Sequence, residues 1–250
     1  MTDGFFITGT DTGVGKTVVT AGIAQVLRSA GVDVGVMKPV ATGCGRRREG
    51  LVSEDAEFLA KAADAPEPLE ALSPIRLADP LAPTVAAARA GRNLDLGAVW
   101  TAWERLRRAH AFMLVEGIGG ALCPVTARQS VADLARRFNL PVLVVARPGL
   151  GTINHTAMTV EVLRARRLAI EGIIVNRYNR DTEDVAELTN PDEIQRATGC
   201  PVLGLVPDDA ATDFRAGVVG PNVLAAIRQM RLVATQGRPR GSRGAAPGSD

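Results

Sequence analysis

Phe5-Phe6-Ile7-Thr8-Gly9-Thr10-Asp11-Thr12-Gly13-Val14-Gly15-Lys16-Thr17 runs an apolar stretch into a glycine-rich turn ending in Gly-Lys-Thr, and a helical pattern from Val18 to Arg28 follows at once. Strand, turn and helix in that order make a phosphate cradle. Gly13 and Gly15 permit tight turns and close backbone approach, so successive N–H groups can point at phosphate oxygens while the helix N-terminus adds its positive end. Lys16 is placed to reach the terminal phosphates, and the Thr17 hydroxyl to ligate magnesium.

The spacing departs from G-x-x-x-x-G-K-[ST], because Thr10 stands where the pattern wants glycine and Gly9 comes one residue early. The loop is a variant, and a turn that binds nothing is the bland alternative. Asp11 adds information. ATPases that sort chromosomes or position division sites carry a signature lysine five residues before the main one, and here that place is acidic.

With 250 residues, 46% of them hydrophobic and 22% charged, the chain can bury a sizeable core as one domain, expected over 1–235. A net charge of +2 gives no reason to expect a nucleic-acid partner. Arginine clusters at Arg105 to Arg108 and Arg164 to Arg167 fall on helical patterns and read as solvated faces. Cys44, Cys123 and Cys200 are scattered and free of C-x-x-C spacing, which fits reduced thiols. No signal-peptide order and no membrane-length apolar run occur, so a cytoplasmic protein without a membrane partner is expected. The tail from Gln236 to Asp250, rich in Gly, Arg, Ser and Pro, is expected to be disordered.

Short apolar runs at Phe5 to Thr8, Val32 to Met37, Ala111 to Val115, Pro141 to Ala146, Ile170 to Val175 and Val202 to Leu205 alternate with stretches of helical period. This predicts an α/β fold of the P-loop NTPase kind, a mostly parallel sheet with helices on both faces and ligands at the carboxyl ends of the strands. Ser130 with Asp133 reads as a capping-box start, and Asn190-Pro191 as an N-cap before a first-turn proline.

Three more clusters fall at strand ends. Lys38-Pro39-Val40-Ala41-Thr42-Gly43 puts a second lysine over the phosphate crevice, unless Lys38 is only a surface residue before a turn. Glu116-Gly117-Ile118-Gly119-Gly120 ends a buried run with a carboxylate, which is costly unless paired or metal-bound. Ser53-Glu54-Asp55 opens a helix. Thr17, Asp55 and Glu116 together offer hard oxygen ligands suited to Mg2+, although an acid in a first helical turn is also favoured by the helix dipole alone.

Read together, the loop from Thr8 to Thr17, Lys38 to Gly43, Ser53-Glu54-Asp55-Ala56, Val115 to Gly120, and Gly149-Leu150-Gly151-Thr152-Ile153-Asn154-His155-Thr156 resemble the dethiobiotin synthetases. The resemblance spans Phe5 to about Pro207. It implies an enzyme that closes the ureido ring of dethiobiotin from 7,8-diaminopelargonic acid, carbon dioxide and ATP, through a carbamate and a carbamic-phosphoric anhydride, releasing ADP and phosphate. Charge develops at each step, and Lys16, Lys38 and Mg2+ suit it. No protein nucleophile is required, and no Ser-His or Cys-His constellation is apparent.

By the same resemblance, Thr17, Asp55 and Glu116 hold the metal, Gly13, Val14, Gly15 and Lys16 hold phosphates, and Gly117, Ile118 and Gly119 line the nucleotide. Lys16, Lys38 and Thr12 are the catalytic candidates, with Thr12 and Thr42 at the diamine and carbamate. Asn176 with Arg177, and Pro207-Asp208-Asp209, stand where the family meets adenine; Asn176 can equally cap a turn. Gly151, Thr152, Ile153 and Asn154 stand where the family reaches across a homodimer to hold the substrate carboxylate with backbone N–H groups. His155 then reads as a packing residue. Ile118 stands where alanine is usual and Gly13 where some members have an acid, which bears on the fine geometry around the phosphates.

Two other readings share the fold. Corrin-precursor synthases carry a further glutaminase domain, for which the chain has no room. Switch ATPases lack support from Asp11 and from the absence of a basic amphipathic helix near the C-terminus.

Overall fold

The computed structural model of the protein describes residues 3–48 and 50–232. The expected disordered tail, 236–250, lies outside the described residues. In chain order the elements are β1 (Asp3–Gly9), α1 (Lys16–Ser29), β2 (Val34–Met37), β3 (Val40–Ala41), β4 (Gly45–Arg47), β5 (Gly50–Val52), α2 (Glu54–Ala63), α3 (Leu69–Leu72), β6 (Ile75–Arg76), α4 (Pro83–Arg89) and α5 (Gly97–Ala109). There follow β7 (Phe112–Gly120), α6 (Val131–Phe138), β8 (Val142–Ala146), α7 (Thr152–Ala165), β9 (Ile170–Asn176), α8 (Val185–Thr198), β10 (Val202–Val206) and α9 (Pro221–Arg228).

Six strands form one parallel sheet in the order β10-β9-β8-β1-β7-β2. All six match the apolar runs of the sequence, with ends moved by a few residues; the second begins at Val34 rather than Val32. Because both faces are covered, β2 and β8 are buried at every position, and no inside-outside alternation survives. On one face Phe6 packs 5.7 Å from Phe138 of α6, which also meets Trp100 and Trp103 of α5 at 4.9 and 5.0 Å. α1, flanked by α2 and α9, packs against β1, β2 and β7.

From β1 the chain first builds toward β2 and later toward β10, so the strand order reverses beside β1. A crevice therefore opens at the carboxyl end of β1, where the glycine-rich loop lies. Among the described residues no helix is long and apolar enough to cross a membrane.

Ser130 and Asp133 form the expected capping box, with the Asp133 carboxylate accepting from the Ser130 N–H at 2.7 Å and from its hydroxyl at 2.6 Å. The Asn190-Pro191 expectation is corrected: α8 begins earlier, at Val185, and Pro191 lies inside it. Asp184 is the true N-cap, accepting from Ala186 N–H at 2.8 Å. Asn190 is buried and donates to the Pro148 and Gly149 carbonyls at 2.6 and 3.2 Å, so a tertiary contact has taken the amide that the sequence reading gave to a cap. The arginine clusters are also less free than expected. Arg166 meets Asp133 at 3.1 Å, and Arg164 donates to the Thr198 carbonyl at 2.5 Å.

Candidate active site

The cradle is built locally. Gly15 caps α1 at φ +89°, a backbone conformation that side chains disfavour, and places Lys16 and Thr17 in the first helical turn. Glycine is required there for a second reason: a Cβ on Gly15 would fall 1.9 Å from the Asn176 amide nitrogen. That amide donates to the Val14 carbonyl at 2.9 Å, so the end of β9 ties down the loop that follows β1. Lys16 folds back onto the Asp11 carbonyl at 3.0 Å.

Lys38 follows β2 and is 3% exposed, which removes the surface-residue reading. Its ammonium lies 2.5 Å from a Glu116 oxygen and 2.9 Å from Asp55. Thr17 donates to the same Glu116 oxygen at 2.9 Å, so four residues converge: Lys38 just after β2, Glu116 in β7, and Thr17 and Asp55 in the first turns of α1 and α2. Ser53 accepts from the Ala56 N–H at 3.2 Å and fixes the start of α2, which aims Asp55 inward. Asp55 thus has more than a favourable helix dipole.

Electrostatics follow from burial and pairing. Burial works against the charge on Lys38, but Glu116 and Asp55 outweigh it and raise its pKa above the ordinary lysine value. Burial, reinforced by Asp55, pushes the Glu116 carboxyl up even though Lys38 opposes it. Burial also acts against the Asp55 charge, yet Lys38 holds its pKa below the usual carboxylate value. Lys16 is lowered to about 8, chiefly because it is desolvated, with Lys38 adding repulsion.

Thr12, Gly13, Gly15, Lys16, Thr17, Lys38, Thr42, Asp55, Glu116, Ile118, Gly119 and Arg177 line one cavity of about 310 Å3. Asn176, Arg177, Pro207, Asp208 and Asp209 line an adjoining cavity of about 450 Å3. Val14 and Gly117 stand behind these walls, Val14 buried and Gly117 offering its carbonyl to Lys38 at 3.4 Å. Gly151, Thr152, Ile153 and Asn154 line neither cavity; they open α7 at a left-handed Gly151. His155 borders a third cavity, about 480 Å3, with Thr10, Asp11, Thr12 and Leu122. Phe214 was not singled out by the sequence, yet it lines the first two cavities. A lone aromatic ring in a stretch of small and polar residues, Asp208 to Arg215, was the available signal.

The donor set fits a hard divalent cation. Glu116 is fully buried, and its second oxygen has no hydrogen-bond partner among the described residues. A buried orphan carboxylate oxygen beside an Asp and a Thr hydroxyl is the chemistry that Mg2+ satisfies while keeping positions for phosphate and water.

The model of a family described as "AAA domain" matches residues 3–215. Solved structures resemble the chain in fold: the MinC:MinD cell division complex of Aquifex aeolicus has a TM-score of 0.61 at 17% identity, covering 97% of this chain and 100% of that one. MinD of Pyrococcus horikoshii, solved with Mg-ADP, has a TM-score of 0.54 at 19% identity, covering 90% and 93%. Sequence separates the chain from these. The ATP-dependent dethiobiotin synthetase of Anaeromyxobacter sp. (strain K) is 46% identical over 225 residues, 90% of this chain and 99% of that protein. The chain belongs to the dethiobiotin synthetase family. Members from Thermodesulfovibrio yellowstonii and Bacillus subtilis (strain 168) are 38% and 39% identical, covering 83% and 82% of this chain and 89% and 87% of theirs. The dethiobiotin synthetase reading, its ATP dependence and its ligase chemistry therefore stand, and the switch-ATPase reading survives only as a likeness of fold.

Proposed function

We propose that the chain closes the ureido ring of dethiobiotin with a single active unit over 1–235, in which Lys38 is the reacting-centre cation. The observation that carries this is the burial of Lys38 between Glu116 and Asp55, on the wall of the cavity that Lys16 and Thr17 also line. In this reading Gly13 to Lys16 cradle the phosphates with backbone N–H groups, and Asn176 with Pro207 to Asp209 meets adenine. The Asn176 oxygen stays available to accept from the adenine amino group while its nitrogen holds Val14.

Thr17, Asp55 and Glu116 hold Mg2+, which when bound neutralises phosphate charge. The remaining chemistry belongs to the substrates and the lysines. One amine of the diamine adds to carbon dioxide and gives up a proton, and Lys38 with Thr12 and Thr42 orients the resulting carbamate. A carbamate oxygen then attacks the γ-phosphorus with departure of ADP, while Lys16 and Lys38 stabilise the charge on the transferring group. The second amine attacks the activated carbonyl, expels phosphate and closes the ring.

The substrate carboxylate is assigned to the N–H groups of Gly151 to Asn154 of a second copy, which makes the working unit a homodimer. Support comes from their absence from the lining of the chain's own reaction cavity and from the exposed Leu150 and Met158 beside them. The three free thiols favour a cytoplasmic setting.

Replacing Lys38 tests the reading. Lys38→Ala is expected to bind ADP but to lose diamine-stimulated phosphate release by at least a hundredfold. Release at the wild-type rate would overturn the assignment.

A further inference from the structure

The segment from Asp208 to Gly220 is knit by its own side chains. Asp209 accepts from the N–H groups of Ala211 at 3.0 Å and Asn222 at 2.8 Å, and Asp213 accepts from those of Arg215 at 2.8 Å and Ala216 at 3.0 Å. Asp213 and Val218 exchange backbone hydrogen bonds, each 2.9 Å. This strap is fastened to α2. Lys61 donates to the Arg215 carbonyl at 2.5 Å, and Gly217, at φ +73°, lets the strap close because a Cβ there would meet the Lys61 Cβ at 2.4 Å.

Phe214 is the strap's one aromatic residue. Its ring stacks on Phe58 of α2 with centroids 4.2 Å apart and planes 16° from parallel. Phe58 is fully buried, whereas Phe214 is 40% exposed, so one ring face is covered and the other is open. The open side borders both the phosphate cavity and the cavity of Asn176 and Pro207, a position shared among the described residues only by Val18 and Arg177. Large apolar faces left open inside a cleft are binding surfaces.

We propose that Phe214 is a nucleoside-positioning residue, whose open face packs against the adenosine part of the nucleotide where the two cavities join. The proposal rests on the assignment of those cavities to ATP and adds a contact that the glycine-rich loop cannot make. The Phe58 stack holds the ring in place before the nucleotide arrives, so little side-chain freedom is lost on binding.

Calorimetric titration of the full chain with ADP and with inorganic tripolyphosphate, both with magnesium, tests it. Phe214→Ala should weaken ADP by about tenfold, the scale of one aromatic packing contact, and tripolyphosphate by less than about twofold, with Phe214→Tyr close to wild type for both. Phe214→Leu keeps the apolar bulk without the ring and should follow Phe214→Ala, which preserves the comparison if the alanine variant fails to fold. Unchanged ADP affinity, or equal losses for ADP and tripolyphosphate, would overturn the proposal. Lys16→Ala separates the underlying site from the new contact. It should abolish tripolyphosphate binding, and if it leaves both ligands unaffected the cavity assignment itself fails.

Discussion

The Lys38 ammonium and the Glu116 carboxylate meet at 2.5 Å, almost wholly out of water, where β2 ends beside the middle of its neighbour β7. Each needs the other. Removing one partner of a buried ion pair strands the remaining charge, at about 3 to 5 kcal/mol. Lys38→Met is therefore expected to destabilise the fold by about 3 kcal/mol in urea denaturation, and Glu116→Gln added to it to recover most of that loss. Neither variant should make product. A double variant as unstable as Lys38→Met would show that the pair carries little of the coupling.

Gly15 is expected to tolerate no side chain. Its φ of +89° and the 1.9 Å approach of Asn176 act together, so Gly15→Ala should weaken ADP binding by at least a hundredfold. Asn176→Ala removes the clash but not the backbone strain. Gly15→Ala with Asn176→Ala should therefore still bind ADP more weakly than Asn176→Ala alone, and equal affinity of these two variants would contradict the strain argument.

Lys16 titrates near 8 in the free protein because it is desolvated. Bound phosphate favours the charged form and raises that value, so nucleotide binding takes up a proton between about pH 8 and the pKa in the complex. Affinity for ADP should fall as pH rises through 8. Calorimetry in buffers of different ionisation enthalpy reads the uptake directly, and none at pH 8.5 would contradict it.

His110 gives the stability a pH signature. Its Nδ1 lies 2.8 Å from Asp33 and its Nε2 2.9 Å from Glu67; carboxylates only accept, so the ring carries both protons. Burial opposes that charge, but the two carboxylates raise the pKa above 6.5. The folded-state pKa is thus above the unfolded one. The stabilisation is complete below about 6.5 and is lost as pH rises through the folded value. The stability difference between wild type and His110→Gln should be largest near pH 6 and shrink toward pH 9, and a difference constant over that range would refute the doubly protonated ring.

Local order explains what the sequence made legible. β1, the loop and α1 are consecutive, so their chemistry is written in one stretch, and the strand ends carrying Lys38 and Glu116 announce themselves by a charge after an apolar run. Tertiary contacts explain the misses. Asn190 looked like a cap because its amide partners, Pro148 and Gly149, lie on another segment. Phe214 offered only its aromatic character, because the ring that orients it, Phe58, belongs to α2, far away in the chain. The strands β3 to β6, two or three residues each, are too short to leave a periodic pattern. The need for glycine at 15 was read as loop freedom, whereas the approach of Asn176 from β9 adds a steric demand.

The most direct test of ATP-driven ring closure at this site is the stoichiometry of ADP and dethiobiotin with purified protein, magnesium and ATP. One ADP per dethiobiotin, formed only when both the diamine and bicarbonate are present, is the expected result. ATP hydrolysis that runs at the same rate without the diamine, with no dethiobiotin formed, would contradict the account.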